Sequence, residues 1–176
     1  ALGLTGDPGK VRQVIFITDG SVANERALLS YIRHNIHNTR LFTVGIGSSP
    51  NGHFMRKAAE HGRGTYTYIN RTGEVQSKMG ALFAKLENPV LTRIDIDWQG
   101  QSVEHWPRQL PDLYLGEPVV ITARLPQLGS TVEISGQRSG QPWAISFALA
   151  GGSRHSGIDR LFARRKIGAL TDSLSG

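Results

Sequence analysis

Cysteine is absent from the 176 residues, so neither a disulfide framework nor a thiolate metal site is available. No run approaches the roughly 18 apolar residues a membrane-spanning helix needs. Gly-x-Ser-x-Gly and Walker loops are missing, and no catalytic nucleophile motif stands in for them. Gly45-x-Gly47 lacks the third glycine of a dinucleotide fingerprint and fits a tight strand-to-helix turn instead. There is no internal repeat and no low-complexity segment. The opening Ala1-Leu2-Gly3-Leu4-Thr5-Gly6-Asp7-Pro8-Gly9 is loop-like, carries no signal-peptide pattern and leads straight into a strand of central type. It suggests a piece of a longer protein.

What is present is a chain with 39% hydrophobic residues and a net charge of +6, a composition suited to a globular fold. The basic excess gathers near the end, where Arg154, Arg160, Arg164, Arg165 and Lys166 face only Asp159 and Asp172. Such a balance can attract polyanions. Phe162 is the one aromatic among these cations, too little interleaving to suggest base stacking, so no nucleic acid is expected, and a solvated helix face accounts for the charge.

Val14-Ile15-Phe16-Ile17 is an apolar run that ends in Thr18-Asp19-Gly20. It reads as a strand buried on both faces. In an open α/β sheet, ligands bind beyond the carboxyl ends of the strands, so Asp19 is placed either to bind a cation or to cap a turn. Asn24 is an expected helix N-cap, followed by a stripe of Leu28, Ile32 and Ile36 with Ala27 and Tyr31 on the same face. His34, His37 and Arg40 lie toward that helix end, where cations suit the dipole. Residues 41–47 give a second buried strand and 65–69 a third. Phe54, Met55, Ala58 and Ala59 mark a helix stopped by Gly62. Val75, Met79, Leu82, Phe83 and Leu86 mark another, halted by Asn88-Pro89. Residues 13–88 thus alternate strand and helix, the pattern of a doubly wound parallel sheet.

After Pro89 the period falls to two. Ile94, Ile96 and Trp98 alternate with polar neighbours, as do Val119, Ile121, Ala123 and Leu125, then Val132 and Ile134, then Trp143, Ile145, Phe147 and Leu149. Residues 89–152 are expected to form an antiparallel β module, one or both sheets of a small sandwich. Residues 153–176 close with a basic amphipathic helix whose stripe is Ala163, Ile167, Leu170 and Leu174, with Ile158, Leu161 and Phe162 feeding into it. Trp98, Trp106 and Trp143 are assigned to sheet packing rather than to a carbohydrate platform. His34 and His37 sit three apart but have no third ligand for zinc. His53, His61, His105 and His155 show no ligand spacing.

The ordered series Val14–Gly20, Phe42-Thr43-Val44-Gly45-Ile46-Gly47, Met55-Arg56-Lys57-Ala58-Ala59 and Gly62-Arg63-Gly64-Thr65-Tyr66 resembles the second half of a von Willebrand factor type A domain. Asn88-Pro89-Val90-Leu91, the stretch from Pro111 to Pro118 and Leu161-Phe162-Ala163-Arg164-Arg165-Lys166-Ile167 resemble inter-alpha-trypsin inhibitor heavy chains, particularly their bacterial surface-protein relatives. The resemblance implies a doubly wound sheet of order 3-2-1-4-5-6, of which this chain holds the last three strands. It also implies a metal-ion-dependent adhesion site. The family builds that site from an Asp-x-Ser-x-Ser loop, a threonine loop and the Asp of a Thr-Asp-Gly loop. Only the last matches, at Asp19. Ser48-Ser49 follows a different strand, and the flanks of Thr5 do not match.

The resulting expectation is a non-enzymatic adhesion or protein-interaction fragment of the extracytoplasmic surface. Mg²⁺ or another divalent cation would sit at Asp19 in the intact parent, without tight binding here, because Mg²⁺ wants near-octahedral oxygen ligation. The partner would be a protein or matrix-like ligand whose carboxylate completes the site. Two other readings stand beside it: a Mg²⁺-dependent phosphate-processing enzyme, and a polyanion-binding module using Arg164-Arg165-Lys166. A bare edge on the strand at 14–17 is also expected to invite self-association.

Overall fold

A computed structural model describes residue 2 and residues 11–127, 129, 131–152 and 155–174. Thr5, with the rest of the opening loop, and Arg154 lie outside these residues. So do the side chains of residues 89, 90 and 172–174, which include Leu174 of the expected stripe. The chain divides after Asn88 into two compact units.

The first unit is a parallel sheet of β1 (Gln13–Thr18), β2 (Arg40–Ile46) and β3 (Arg63–Ile69) in the order β1-β2-β3. Helices α1 (Glu25–Asn35), α2 (Gly52–His61) and α3 (Val75–Glu87) alternate with the strands. The α/β class expected from the alternation holds. The central strand, however, is β2 rather than β1. Phe42 and Val44 are fully buried, whereas Ile17 is 51% exposed. The run at 14–17 was expected to be dry on both faces. Instead β1 is an edge strand, because β2 is its only strand neighbour among the described residues.

One core holds this unit together. Ile32 and Ile36 of α1 meet Phe54, Met55 and Ala58 of α2 and Leu41 of β2, with Val14 and Phe16 packed against them. The Phe16 and Phe54 rings meet edge to face, with centroids 6.4 Å apart. Tyr31 and Ala27, read as part of the inward stripe, are exposed. The inward face here is Leu28, Leu29, Ile32 and Ile36. Arg40 is not a helix-end cation. It opens β2 and is 1% exposed.

The crossing from α2 to β3 depends on two glycines. Gly62 closes α2, its N–H donating to the Ala58 carbonyl, and its own carbonyl accepts from Leu41 N. A Cβ on Gly62 would stand 2.3 Å from Leu41 Cβ, and one on Gly64 would stand 2.2 Å from the Leu41 carbonyl oxygen. Both distances are prohibitive, so β3 approaches β2 this closely only with glycine at these positions. The ladder slips between Leu41 and Thr43 at the same place.

In the second unit β4 (Pro89–Asp97), β5 (Glu104–Trp106), β6 (Leu113–Tyr114), β7 (Thr122–Arg124), β8 (Thr131–Arg138) and β9 (Gln141–Ala148) precede helix α4 (Ile158–Leu174). They form an antiparallel sheet in the order β6-β4-β8-β9 and a separate β5–β7 ribbon. The alternation read over 119–125 yields only the three residues of β7, because its partner β5 is itself three residues long. Ser139 and Gly140 both have positive φ, 50° and 78°. That is the two-residue turn whose twist suits a β-hairpin, and it fixes the β8–β9 register. Trp106 is buried, while Trp98 and Trp143 are half-buried.

Helix α4 rests on the β5–β7 ribbon. The Arg124 guanidinium lies 5.6 Å from the centre of the Phe162 ring, Lys166 Nζ is 2.7 Å from Glu104 Oε1, and Arg165 donates to the Val120 carbonyl. These contacts put the Phe162–Arg165–Lys166 side inward. The stripe read as the packing face points away: Ile167 is 63% exposed and Leu170 47%.

Candidate functional site

The carboxyl ends of β1, β2 and β3 bring three loops to one edge of the parallel sheet. The first is Thr18-Asp19-Gly20. Its turn is closed by Thr18, whose Oγ1 accepts from Gly20 N at 3.3 Å. Asp19 therefore does not supply the cap. Its side chain is exposed, and among the described residues nothing donates to it.

The second loop runs from Gly47 to Asn51. Asn51 Oδ1 accepts from Phe54 N at 3.0 Å and so caps α2, while its amide donates to Glu25 Oε1 in the first turn of α1. One side chain thus ties two helix starts together. Asn24, the expected cap of α1, makes no side-chain cap bond and sits at φ 55°. Only its carbonyl starts the helix, accepting from Leu28 N. The sequence reading did not single out Asn51; an asparagine ahead of the apolar pair Phe54-Met55 is the signal that could have found the cap, whereas its bond to Glu25 needs the two helices side by side.

The third loop follows β3. Tyr68 donates its hydroxyl to the Gly47 carbonyl at 2.8 Å and lies 3.2 Å from Asn70 Oδ1. Lys78 reaches back from α3 to the Tyr68 carbonyl and to Glu74 Oε2, the latter at 2.8 Å. Asn70 N donates to the same carboxylate at 3.2 Å. The hydrogen bond from Lys78, then that from the Asn70 amide, holds the Glu74 carboxyl below its ordinary value. Nothing in the linear pattern singled out Tyr68, Glu74 or Lys78. Only the i, i+4 spacing of Glu74 and Lys78 could have pointed to a pair.

Glu25, Asn51, Tyr68 and Glu74 are thus engaged in fastening loops, which leaves the Asp19 carboxylate open to solvent. Among the described residues no group of three or more His, Asp or Glu side chains could hold a metal ion. Mg²⁺ takes near-ideal octahedral oxygen ligation, and a lone carboxylate does not meet it. The described residues therefore do not fit a complete divalent site. The His34–His37 pair fares no better. His34 Nδ1 meets its own helix's Ser30 carbonyl at 2.7 Å, and His37 sits past the helix end at φ 41°.

This geometry belongs to the doubly wound α/β class, with an acidic residue at the carboxyl edge of a parallel sheet. Residues 1–68 match the von Willebrand factor type A domain. Among similar proteins, a von Willebrand factor A domain-containing protein of Dictyostelium discoideum is 30% identical over 130 residues, covering 70% of this chain and 15% of that protein. The mouse protein mono-ADP-ribosyltransferase PARP4 is 25% identical over 122 residues, covering 65% of this chain and 6% of that protein. A solved von Willebrand factor type A structure from Catenulispora acidiphila shares the fold, with a TM-score of 0.54 at 16% identity over 86% of this chain and 44% of its own. A von Willebrand factor type A domain is thus supported by the family match, by the relatives and, for the fold, by the solved structure. The chain spans only a small part of these relatives.

Proposed function

We propose that this chain is a non-enzymatic protein-interaction module of the adhesion type. Asp19 contributes one oxygen to a metal-ion-dependent adhesion site, and the other ligands come from sequence outside these 176 residues. The observation that supports this reading is the Asp19 carboxylate, exposed at the carboxyl end of β1 and relieved of any capping duty by Thr18. A protein or matrix-like ligand would supply a carboxylate to the bound cation, which makes recognition electrostatic and requires no turnover. The other edge of β1 is the natural seat for a further strand from more of a longer protein. The inter-alpha-trypsin inhibitor heavy chain-like subtype and an extracytoplasmic location belong to the same reading, on the strength of the motifs around Asn88, Pro111 and Leu161. Among the described residues no helix is long and apolar enough to cross a membrane.

Calorimetry with Mg²⁺ tests the site. This chain is expected to bind no tighter than the millimolar range, as one carboxylate and water can offer. A version extended upstream through an Asp-x-Ser-x-Ser loop is expected to bind at least about tenfold tighter, and Asp19→Ala is expected to abolish the gain. Micromolar binding by the 176-residue chain, lost in Asp19→Ala, would mean that the site is complete here and would overturn the proposal.

A further inference from the structure

Strand β9 is the outer member of the four-stranded sheet, and its inner edge pairs with β8 without a slip from Gln141 to Ala148. Nothing pairs with its outer edge among the described residues. Natural edge strands are guarded by charge, by bulges, by shortness or by proline. β9 is eight residues long, has no bulge and carries no charged side chain, and its only proline, Pro142, is at its start. Ile145 and Phe147 are 47% and 44% exposed. The edge at β6 is two residues long. At β1 the edge is six residues long, and the Gln13 side-chain amide donates to the Leu86 carbonyl beside it. β9 is thus the long edge of the second unit, guarded only at its start, by Pro142.

We infer that two copies of this chain pair antiparallel through β9, about a two-fold axis at Ile145. The register follows from the hairpin. Its two-residue turn makes Arg138 and Gln141 a hydrogen-bonded pair, so the odd-numbered residues of β9 direct their backbone groups toward β8. The even-numbered residues direct theirs outward. Pro142 is among these, so its missing N–H takes no bond from the β8–β9 ladder. A partner strand centred on Ile145 sets Ala144 against Ser146, which exchange both backbone hydrogen bonds, and Pro142 against Ala148, where Pro142 only accepts from the Ala148 N–H. Ile145 meets itself, and Trp143 meets Phe147, at the intervening positions, where side chains approach most closely.

One feature favours a second copy over a foreign strand. The order Trp143, Ile145, Phe147 reads aromatic, aliphatic, aromatic from either end, as an isologous interface requires of one patch facing itself. The face it would extend already carries Val132 and Ile134, which stand across from Phe147 and Ile145. A chain at +6 repels its own copy, and β9 keeps that repulsion out of the seam, since no cation lies among its eight residues. The outward face of α4 does not, since Arg160 and Arg164 flank its apolar stripe. The inference does not depend on the role of Asp19.

Sedimentation equilibrium of the 176-residue chain tests it. The mass is expected to rise with concentration from 19.2 kDa toward twice that value. Ile145→Lys sets two ammonium groups against each other at the axis, and is expected to weaken association at least about tenfold with the circular dichroism unchanged. Ile145→Cys is the independent check. The chain has no other thiol, and a residue facing its own copy across a close pair should form an intermolecular disulfide on mild oxidation. Ile17→Cys on β1 should not. A chain that stays monomeric up to about 1 mM, or a dimer that survives Ile145→Lys and is cross-linked through Ile17→Cys instead, overturns the inference.

Discussion

Single side chains settle the loops at the carboxyl edge of the parallel sheet: Thr18 after β1, Asn51 before α2 and Glu74 after β3. Gly62 was legible as a helix stop, and it is one. Asp19 was legible as a residue at the end of a strand, but whether it capped a turn was open until Thr18 was seen to take that N–H. Glu74 shows what the linear pattern half conceals, because its i, i+4 spacing marks Lys78 as a partner, while the Asn70 amide reaches it only through the turn after β3. A titration follows from it. The folded-state value of Glu74 is depressed, so its contribution to holding the loop is present above the unfolded value and fades as pH falls through the folded one. The Asn70 amide resonance is expected to follow this titration, with a midpoint below the free-glutamate value of 4.5. Lys78→Ala is expected to move that midpoint upward, since it removes the largest depressing interaction. An unmoved midpoint would show that the ion pair is not held in solution.

At the scale of elements, helix and strand were legible from period alone, but neighbours were not. An apolar run such as Val14–Ile17 is the same string whether the strand is central or at an edge. What decides is how many strands flank it, and β1 has only β2 among the described residues. The stripe of α4 went astray for the same reason. Ala163, Ile167 and Leu170 are the obvious apolar row, yet the helix seats itself through Phe162, whose ring meets Arg124, and through the polar reach of Arg165 and Lys166. Truncation separates the two faces. Ile167→Ala is expected to change the free energy of unfolding in urea by less than about 0.5 kcal/mol, as for other exposed positions. Phe162→Ala, at a half-buried ring, is expected to cost about 1–2 kcal/mol. Equal losses would mean that the stripe is covered in solution.

At the scale of the whole molecule, the sign of the charge was plain but its distribution was not. The run Arg164-Arg165-Lys166 reads as a basic cluster and suggested a polyanion site. In the fold it splits: Arg165 is turned to the Val120 carbonyl and Lys166 to Glu104, while Arg164 is exposed together with Arg160. The hydrogen bond from Lys166 also holds the Glu104 carboxyl below its ordinary value, so that carboxylate stays ionised beside the helix and opposes an incoming anion. A net charge of +6 still draws polyanions over a distance, but that attraction is screened within roughly 10 Å at 0.1 M salt and within a few ångströms near 1 M. The chain is therefore expected to bind a heparin column at low salt and to leave it well below about 0.5 M. Lys166→Ala leaves the net charge one unit lower and leaves the Glu104 carboxylate without that cation, held by Trp106 Nε1, so elution is expected still earlier. Retention that persists beyond about 0.5 M, and falls sharply in an Arg160→Ala, Arg164→Ala double variant, would restore the basic helix as a specific polyanion site.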